Sequence, residues 1–320
     1  MPGKVLVTRE IPEAGLRVLK EAGFDVTVLS EAPPARDGLL EAARGAKGVL
    51  STVTETVDGE FMDVAGGGLK VVANMAVGYD NVDVGAAQER GVVVTNTPGV
   101  LDETTADVAF MLLLAAARRL GEAERTLRAG RWEWWGPKLF MGPDVWGKRI
   151  GIVGLGRIGQ AVARRARGFG MEIYYHNRSR KEEAERELGA RWMELDELLE
   201  TVDFVSVHTP LTEETRHLIG AEELGKMKPR AVLVNTSRGP VVDEAALAEA
   251  LEAGSIFAAG LDVYEEEPKV HPKLLERENV VLAPHIGSGS IETRDRMAVL
   301  AAENIRAVLR GEPPKNPVEQ

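Results

Sequence analysis

The stretch Ile150–Gly159, IGIVGLGRIG, decides the fold of this chain of 320 residues. Its first letters, IGIV, form a short run rich in β-branched residues, which is typical of a strand buried in a parallel sheet. Three glycines follow at the spacing G-x-G-x-x-G, namely Gly154, Gly156 and Gly159. The letters AVARRARGF then have the apolar periodicity of a helix. The stretch therefore predicts a strand, a tight glycine turn and a helix in direct succession.

Each glycine of this turn has a physical role if the turn binds a dinucleotide. The first permits the tight turn, the second lets the backbone approach a pyrophosphate, and the third packs the helix close to the strand. The helix N-terminus, at Arg157 and Ile158, adds free N–H groups and a positive dipole that attract an anion. A glycine-rich turn that binds nothing is the alternative. We predict a dinucleotide-binding domain built around this stretch.

Composition restricts the class of protein further. A chain of this length is expected to form two domains, each with its own core. A net charge of −11 without a basic block argues against a nucleic-acid partner, and the absence of cysteine excludes disulfides and thiolate metal sites. The most apolar run, 108–117, is about half the ~20 residues that span a bilayer, so it predicts a buried helix and no membrane partner. No metal is expected, and the cytoplasm is the expected compartment.

Short strands alternate with helices through residues 4–96, and the alternation resumes at Arg149. This pattern predicts an α/β fold with two Rossmann-like or flavodoxin-like domains, each built on a parallel sheet. The last helix has no strand after it, so we expect it to pack back on the first domain. We therefore predict a discontinuous substrate domain, 1–98 with 288–320, and an inserted dinucleotide-binding domain, 99–287. The cleft between the domains is the expected ligand site.

A tryptophan-rich stretch follows a long helical segment of the second domain. The helical pattern covers 101–129, and RWEWWGPKLFMGPDVWG comes directly after Gly130. This stretch holds four of the five tryptophans, Trp132, Trp134, Trp135 and Trp146. Such an apolar loop is typical of a subunit interface, so residues 119–147 are predicted to be the dimerisation arm of a homodimer. Packing of the arm on its own domain is the alternative.

The end of the second strand of the inserted domain indicates which dinucleotide is bound. An acidic residue about 20 positions beyond the glycines would hold a ribose 2′-hydroxyl and select NAD. Here Asn177 occupies this position, and Arg178, Ser179 and Arg180 follow it. Two guanidinium groups and a hydroxyl favour a 2′-phosphate, so we predict that NADPH is preferred and NADH is used less well. Solvated charges that open the next helix are the alternative.

Three polar residues follow consecutive strands, at the edge where open α/β sheets bind ligands. Arg238 follows RAVLVNTS, Glu267 follows FAAGLDVYEE, and His285 follows NVVLAP. An arginine can hold the carboxylate of a 2-keto acid and polarise its carbonyl group. A charged histidine can protonate the carbonyl oxygen as hydride arrives, and a carboxylate beside it favours the charged ring. Each residue alone is more often a surface or structural group, but the set predicts hydride transfer.

Four motifs make the chain similar to the D-isomer-specific 2-hydroxyacid dehydrogenases: GLGRIGQ (154–160), NTSRGPVVDEAAL (235–247), GLDVYEEEP (260–268) and APHIGS (283–288). The resemblance covers nearly the whole chain and keeps the order of the motifs. It implies that Arg238, Glu267 and His285 are the catalytic residues, and that Arg238 and His285 also bind the substrate.

The same resemblance implies further contacts. The backbone of Val77 and Gly78, in NMAVGYDNVD, is expected to receive the substrate carboxylate, although a plain turn is the alternative. Ser288 and Trp135 are expected at the substrate, with Trp135 reaching into the active site of the other subunit. The expected cofactor contacts beyond the glycine turn are Thr105, Thr209, Pro210, Thr236, Asp262 and Gly287.

Within the family, RRLGEAERTLRAGRWEWWGP, NRSRK and HIGSGSIETR are most similar to the glyoxylate/hydroxypyruvate reductases. This similarity implies reduction of glyoxylate to glycolate and of hydroxypyruvate to D-glycerate. Dehydrogenases that act on D-lactate, D-3-phosphoglycerate or phosphite are the alternatives of the same type. A dinucleotide-sensing corepressor built on this fold is the alternative from another class.

Overall fold

A computed structural model describes residues 3–30 and 32–318, which form two compact units. The first comprises Met1–Leu101 and Ser288–Gln320 as far as these ranges are described, and we call it the split unit. The second, Asp102–Gly287, is the inserted unit. Each is a parallel sheet covered by helices, which confirms the predicted α/β class.

The split unit holds a five-stranded sheet in the order β2-β1-β3-β4-β5, in which all pairs are parallel. The strands are β1 (Lys4–Val7), β2 (Asp25–Val28), β3 (Gly48–Ser51), β4 (Val71–Asn74) and β5 (Val93–Thr95). The helices are α1 (Glu13–Glu21), α2 (Arg36–Ala43), α3 (Gly59–Ala65), α4 (Val84–Glu89) and the C-terminal helix (Ile291–Leu309). This strand order is that of the flavodoxin-like doubly wound sheet.

The C-terminal helix packs on the split unit, and small residues permit the close approach. A Cβ placed on Gly15 of α1 would lie 2.7 Å from the carbonyl oxygen of Ala298. Gly48, in β3, lies against the side chain of Ile305 in the same way. The helix therefore completes one face of the first sheet, although nearly two hundred residues of the inserted unit precede it.

The inserted unit holds a seven-stranded parallel sheet in the order β12-β11-β10-β9-β6-β7-β8. The strands are β6 (Arg149–Val153), β7 (Glu172–His176), β8 (Arg191–Trp192), β9 (Phe204–Val207), β10 (Val232–Asn235), β11 (Ala258–Leu261) and β12 (Val280–Leu282). The helices are α5 (Asp102–Ala117), α6 (Leu120–Arg128), α7 (Arg157–Gly168), α8 (Glu182–Leu188), α9 (Leu195–Thr201), α10 (Ala221–Lys226), α11 (Glu244–Ala253) and α12 (Pro272–Leu275). The strand order reverses between β6 and β9, which is where such sheets bind ligands.

The predicted single helical segment over 101–129 is divided in the structure. Helix α5 ends at Ala117 and α6 begins at Leu120, because Arg119 adopts a left-handed backbone conformation with φ of 51°. Helix α5 is mostly buried, and Leu112 packs against Gly260 of β11, whereas α6 buries none of its residues. The chain thus turns where its burial ends, and periodicity alone does not reveal this break.

The apolar run 108–117, predicted to form a buried helix and not a membrane span, lies within α5. No helix in the described part of the chain is long and apolar enough to cross a bilayer.

Candidate active site

The glycine turn after β6 is closely packed on two sides and open on the third. A Cβ on Gly154, whose φ is 101°, would lie 2.7 Å from the carbonyl carbon of His208. A Cβ on Gly159 would lie 2.3 Å from the carbonyl oxygen of Gly154. Above Gly156, a Cβ would meet no atom within 4 Å. The turn therefore presents backbone and the start of α7 to an open space of the kind a pyrophosphate requires.

Asn177 stabilises this turn, a role that the sequence did not indicate. Its Oδ1 accepts a hydrogen bond of 2.7 Å from the backbone N–H of Leu155, between the first two glycines. The residue expected to select the dinucleotide therefore also fixes the conformation of the phosphate-binding turn. An aspartate at this position would keep the acceptor oxygen.

The two arginines after Asn177 differ in their surroundings. Arg180 donates two hydrogen bonds to Glu185, of 3.0 and 2.6 Å. Arg180, with help from the Tyr175 hydroxyl, lowers the pKa of Glu185 to about 2. Arg178 and Ser179 are exposed, and Arg178 forms no ion pair within the residues that the structure describes. Arg178 is therefore the better placed of the two arginines to take up an added phosphate.

Two buried hydroxyl groups at the ends of neighbouring strands lack a partner. The Oγ1 atoms of Thr209, after β9, and Thr236, after β10, form no hydrogen bond with any described residue. Buried polar atoms without a partner are uncommon in native proteins and call for a ligand or water. Together with the open space above Gly156, they fit a dinucleotide along this edge of the sheet. Pro210, also expected there, directly follows Thr209 and is exposed.

His208, directly before Thr209, is a poor candidate for a general acid. Burial lowers the pKa of His208 to about 4, so the ring is neutral at pH 7. Its Nε2 lies 2.8 Å from the Oγ of Ser206, and its backbone lies against Gly154. The backbone of His208 therefore forms one side of the glycine turn, while its neutral ring pairs with Ser206.

Asp262 holds the turn that carries His285. Its two carboxylate oxygens accept hydrogen bonds of 2.7 Å from the backbone N–H groups of Ile286 and Gly287. His285 itself has a φ of 53°, a left-handed conformation that a non-glycine residue keeps only where its surroundings fix it. Burial raises the pKa of Asp262 despite these hydrogen bonds. Thr105 lies beside the same turn, since a Cβ on Gly287 would lie 3.4 Å from its Cγ2.

His285 and Glu267 form a direct pair. The Nδ1 of His285 lies 2.8 Å from Oε2 of Glu267, and both side chains are partly exposed. The other oxygen of Glu267 accepts a hydrogen bond of 3.1 Å from the backbone N–H of Tyr264. The carboxylate therefore keeps a proton on Nδ1 and orients the ring, while Nε2 bonds to no residue in the described ranges. This arrangement can deliver a proton from Nε2.

Arg238 lies on the turn after β10, next to the segment that leads to Glu267. Its backbone carbonyl accepts a hydrogen bond of 2.9 Å from Nδ2 of Asn235. Gly239 approaches Tyr264 so closely that a Cβ there would lie 1.9 Å from the carbonyl carbon and oxygen of Tyr264. The structure thus brings the Arg238 turn and the segment that leads to Glu267 together.

Two further glutamates connect these segments, and sequence reasoning missed them. The Oε1 of Glu265 accepts from the backbone N–H of Glu244 at 2.8 Å, and Oε1 of Glu244 accepts from the backbone N–H of Glu265. The other oxygen of Glu244 accepts from the backbone N–H of His271 at 3.1 Å. Burial raises the pKa of Glu244. An acidic residue in the first turn of α11 was the available signal, but nothing in the sequence indicated its partner.

The remaining predicted residues lie elsewhere. Val77 and Gly78, between β4 and α4, and Ser288, ahead of the C-terminal helix, belong to the split unit. Trp135 belongs to the inserted unit and has 77% of its surface exposed.

The fold and the site define a dinucleotide-binding oxidoreductase with an imidazole–carboxylate pair, and comparisons with known proteins identify its family. Residues 110–287 match the family model described as the D-isomer specific 2-hydroxyacid dehydrogenase, NAD binding domain. A glyoxylate reductase of Korarchaeum cryptofilum is 54% identical over all of this chain and 97% of its own. The crystal structure of a Thermus thermophilus protein is 48% identical with a TM-score of 0.93, covering 99% of this chain and 100% of the other.

A third relative was solved with ligands. It is an NADPH-dependent glyoxylate/hydroxypyruvate reductase from Sinorhizobium meliloti in complex with NADP and malonate. It is 39% identical, has a TM-score of 0.87, and the match covers 99% of this chain and 97% of that one. The chain therefore belongs to the D-isomer specific 2-hydroxyacid dehydrogenase family and is an NAD(P)-dependent dehydrogenase. Its cofactor is a nicotinamide dinucleotide.

Proposed function

We propose that the protein reduces small 2-keto acids with NADPH, converting glyoxylate to glycolate and hydroxypyruvate to D-glycerate. The observation that carries this proposal is the contact of 2.8 Å between His285 and Glu267, beside the turn of Arg238. The relatives named glyoxylate reductase support the choice of substrate.

The roles of the three residues follow from their chemistry. Arg238 pairs with the substrate carboxylate and polarises the carbonyl group, since a guanidinium group forms two parallel hydrogen bonds with a carboxylate. His285 gives the proton on Nε2 to the carbonyl oxygen, and Glu267 stabilises the charged ring before that transfer. The reduced nicotinamide, when bound, supplies the hydride that reaches the carbonyl carbon. One hydride and one proton thus convert the keto acid to the hydroxy acid.

The preference for NADPH rests on the end of β7. Asn177 carries no negative charge that would repel a 2′-phosphate, and the exposed Arg178 and Ser179 can bind one. The Sinorhizobium meliloti relative is an NADPH-dependent enzyme. Gly156, the N-terminus of α7 and the hydroxyl groups of Thr209 and Thr236 would hold the rest of the dinucleotide.

We assign dinucleotide binding to the inserted unit and recognition of the substrate carboxylate by Val77 and Gly78 to the split unit. We further propose a homodimer whose interface includes residues 119–147. The exposure of four tryptophans in this stretch supports an interface: Trp132 is 54%, Trp134 65%, Trp135 77% and Trp146 76% exposed. Light scattering on the wild type and on Trp146→Ser tests this assignment, and a wild-type monomer at micromolar concentration overturns it.

A substrate panel with both cofactors tests the proposed activity. The near-ultraviolet absorbance of the reduced nicotinamide is followed with glyoxylate, hydroxypyruvate, pyruvate, 3-phosphohydroxypyruvate and, in the oxidising direction, phosphite. We expect glyoxylate and hydroxypyruvate with NADPH to give the highest kcat/KM. A higher kcat/KM with pyruvate, 3-phosphohydroxypyruvate or phosphite would assign another dehydrogenase of the same family. Tight NADPH binding without turnover of any of them would indicate a dinucleotide sensor.

A further inference from the structure

Three consecutive carbonyl groups in the split unit are each held by a donor from another part of the chain. They belong to residues 76–78, in the turn after β4. The backbone N–H of Thr97 donates to the carbonyl of Ala76 at 2.8 Å. The Nδ2 of Asn96 donates to the carbonyl of Val77 at 2.8 Å. The Nδ2 of Asn74 donates to the carbonyl of Gly78 at 2.9 Å. Two asparagine side chains therefore supply two of the three bonds.

These bonds fix the direction of three N–H groups. In a trans peptide unit the N–H points opposite to the carbonyl of the preceding residue. Holding the carbonyls of residues 76–78 thus turns the N–H groups of Val77, Gly78 and Tyr79 away from the three donors. Within the described ranges, none of these N–H groups donates a hydrogen bond to another protein atom. Successive backbone N–H groups without an internal acceptor form a concave site for an anion.

The side chains that hold the turn are themselves fixed. Asn74 is fully buried, and its Oδ1 accepts a hydrogen bond of 3.0 Å from the Oγ of Ser51. Its Nδ2 also donates to Oδ1 of Asn81 at 3.0 Å. Asn81 in turn donates to the backbone carbonyls of Thr52 and Glu55 at 2.8 and 2.9 Å. The turn is therefore braced against the carboxyl end of β3 and has little freedom to rotate its peptide groups.

We infer that Asn74 and Asn96 are positioning residues for substrate recognition. By holding the carbonyls of Gly78 and Val77, they keep the N–H groups of residues 77–79 ready to receive the carboxylate of a 2-keto acid. This inference rests on the proposed function and adds to it the groups that make the turn selective for an anion.

Asn96 is the better position for a test, because it is only partly buried and its side chain forms one described bond, to Val77. Asn96→Ala removes the donor without adding a charge, whereas an aspartate would repel the substrate by itself. The matched control is Asn279→Ala in the inserted unit. Asn279 also donates to backbone carbonyls, those of Leu251 at 3.2 Å and Phe257 at 3.3 Å.

The steady-state measurements are the KM and kcat for glyoxylate and the KM for NADPH. The binding measurement is the dissociation constant of oxalate, an unreactive dicarboxylate, from the full-length enzyme saturated with NADP⁺. For Asn96→Ala we expect the glyoxylate KM and the oxalate constant to rise about tenfold together, the ~1.4 kcal/mol of one lost hydrogen bond. We expect kcat and the KM for NADPH to stay near their wild-type values. Asn279→Ala should leave all four quantities unchanged while lowering the unfolding temperature.

Unchanged glyoxylate and oxalate constants in Asn96→Ala would overturn the inference, as would an equal rise in the KM for NADPH, which a general loss of structure would cause. Failure of the proposed function has a different result, namely no turnover of glyoxylate by the wild type. In that case calorimetric titration of oxalate into the wild type and into Asn96→Ala still tests the inference. The inference requires that the variant binds oxalate more weakly than the wild type. Equal binding by the two proteins, or none by the wild type, would overturn it.

Discussion

The imidazole of His285 is held at 2.8 Å by the carboxylate of Glu267, on a turn that Asp262 fixes through two backbone N–H groups. The two carboxylates have different tasks. Glu267 contacts the ring itself, whereas Asp262 accepts from the backbone N–H groups of Ile286 and Gly287 and so holds the turn that carries His285.

Removing the charge of Glu267 should slow the reaction. In Glu267→Gln the ring of His285 loses its carboxylate partner at Nδ1, and the imidazolium that donates the proton loses a neighbouring negative charge. We expect kcat/KM for glyoxylate to fall by about tenfold or more, since a hydrogen bond to a charged group contributes ~1.5–3 kcal/mol. The control is Glu266→Gln, since Glu266 is exposed and its side chain pairs, among the described residues, with Lys269. A kcat/KM in Glu267→Gln as high as that of the control would disconnect the pair from the proton transfer.

Replacing His285 should lower kcat by at least ~10²-fold, the lower bound of what a general acid contributes. Asparagine is the appropriate replacement, because the φ of 53° at this position is tolerated by asparagine better than by alanine. The measurement is kcat for glyoxylate at neutral pH, with the unfolding temperature as a check on the fold. A folded His285→Asn variant with nearly wild-type kcat would remove His285 from the role of general acid.

Arg238 should contribute to both binding and rate. Arg238→Lys keeps the charge but loses the planar fork that bonds to both oxygens of a carboxylate. We expect the glyoxylate KM to rise and kcat to fall, each by about tenfold, and Arg238→Ala to be worse in both. Steady-state kinetics with varied glyoxylate separate the two effects. A change in kcat alone in both variants would argue that Arg238 does not bind the carboxylate.

The sequence predicted the positions that depend on strand order, and not those that depend on tertiary contacts. The turn of Gly154 and the strand-end positions of Arg238 and His285 follow from parallel strands whose carboxyl ends share one edge. The bond between Asn177 and Leu155 joins residues 22 positions apart, and the exchange between Glu244 and Glu265 joins residues 21 apart. Neither pairing has a periodicity or a spacing that a single sequence reveals.

The same limit applies to the charged residues around the site. Arg178 and Arg180 are equivalent in the sequence. In the structure, Arg180 donates two hydrogen bonds to Glu185, one turn into α8, whereas Arg178 donates none to it. Likewise, the helix breaks at Arg119, between the mostly buried α5 and the unburied α6, although arginine itself is a good helix former. Charge and helical pattern thus indicated segments, whereas tertiary contacts decide which residues in them form ion pairs and where the helix breaks.

The choice of dinucleotide should change when the residue after β7 becomes acidic. Asn177→Asp keeps an acceptor for the N–H of Leu155, so the glycine turn stays intact while a negative charge is added. We expect the ratio of kcat/KM for NADPH to that for NADH to fall by about tenfold or more, since the charge repels a 2′-phosphate and binds a 2′-hydroxyl. Arg178→Ala should lower only the NADPH value, and Arg180→Ala should have a smaller effect. A wild type that prefers NADH tenfold would refute the preference for NADPH.

Glu55 should make the stability of the split unit sensitive to acid. Burial alone would raise its pKa, but hydrogen bonds from Arg9, Thr52 and Thr8 outweigh burial and lower it. A lowered pKa means that the stabilisation is complete above the unfolded value of about 4.3 and is lost as the pH falls through the folded value. The free energy of unfolding of Glu55→Gln should therefore be lower than that of the wild type at pH 7. We expect a difference of ~1–3 kcal/mol, the cost of breaking the hydrogen bonds of a buried group. This difference should shrink below pH ~4.

Hydrogen exchange of the amides in β1 and β3 is the measurement, because all five tryptophans lie in the inserted unit and their fluorescence does not report on the split unit. Glu60→Gln is the matched control, since Glu60 is exposed and pairs with Arg36 at the surface. We expect faster exchange in Glu55→Gln at pH 7, little change in the control, and convergence of Glu55→Gln with the wild type in acid. If the exchange rates of Glu55→Gln and the wild type differ by the same factor at every pH, the negative charge of Glu55 contributes nothing to stability.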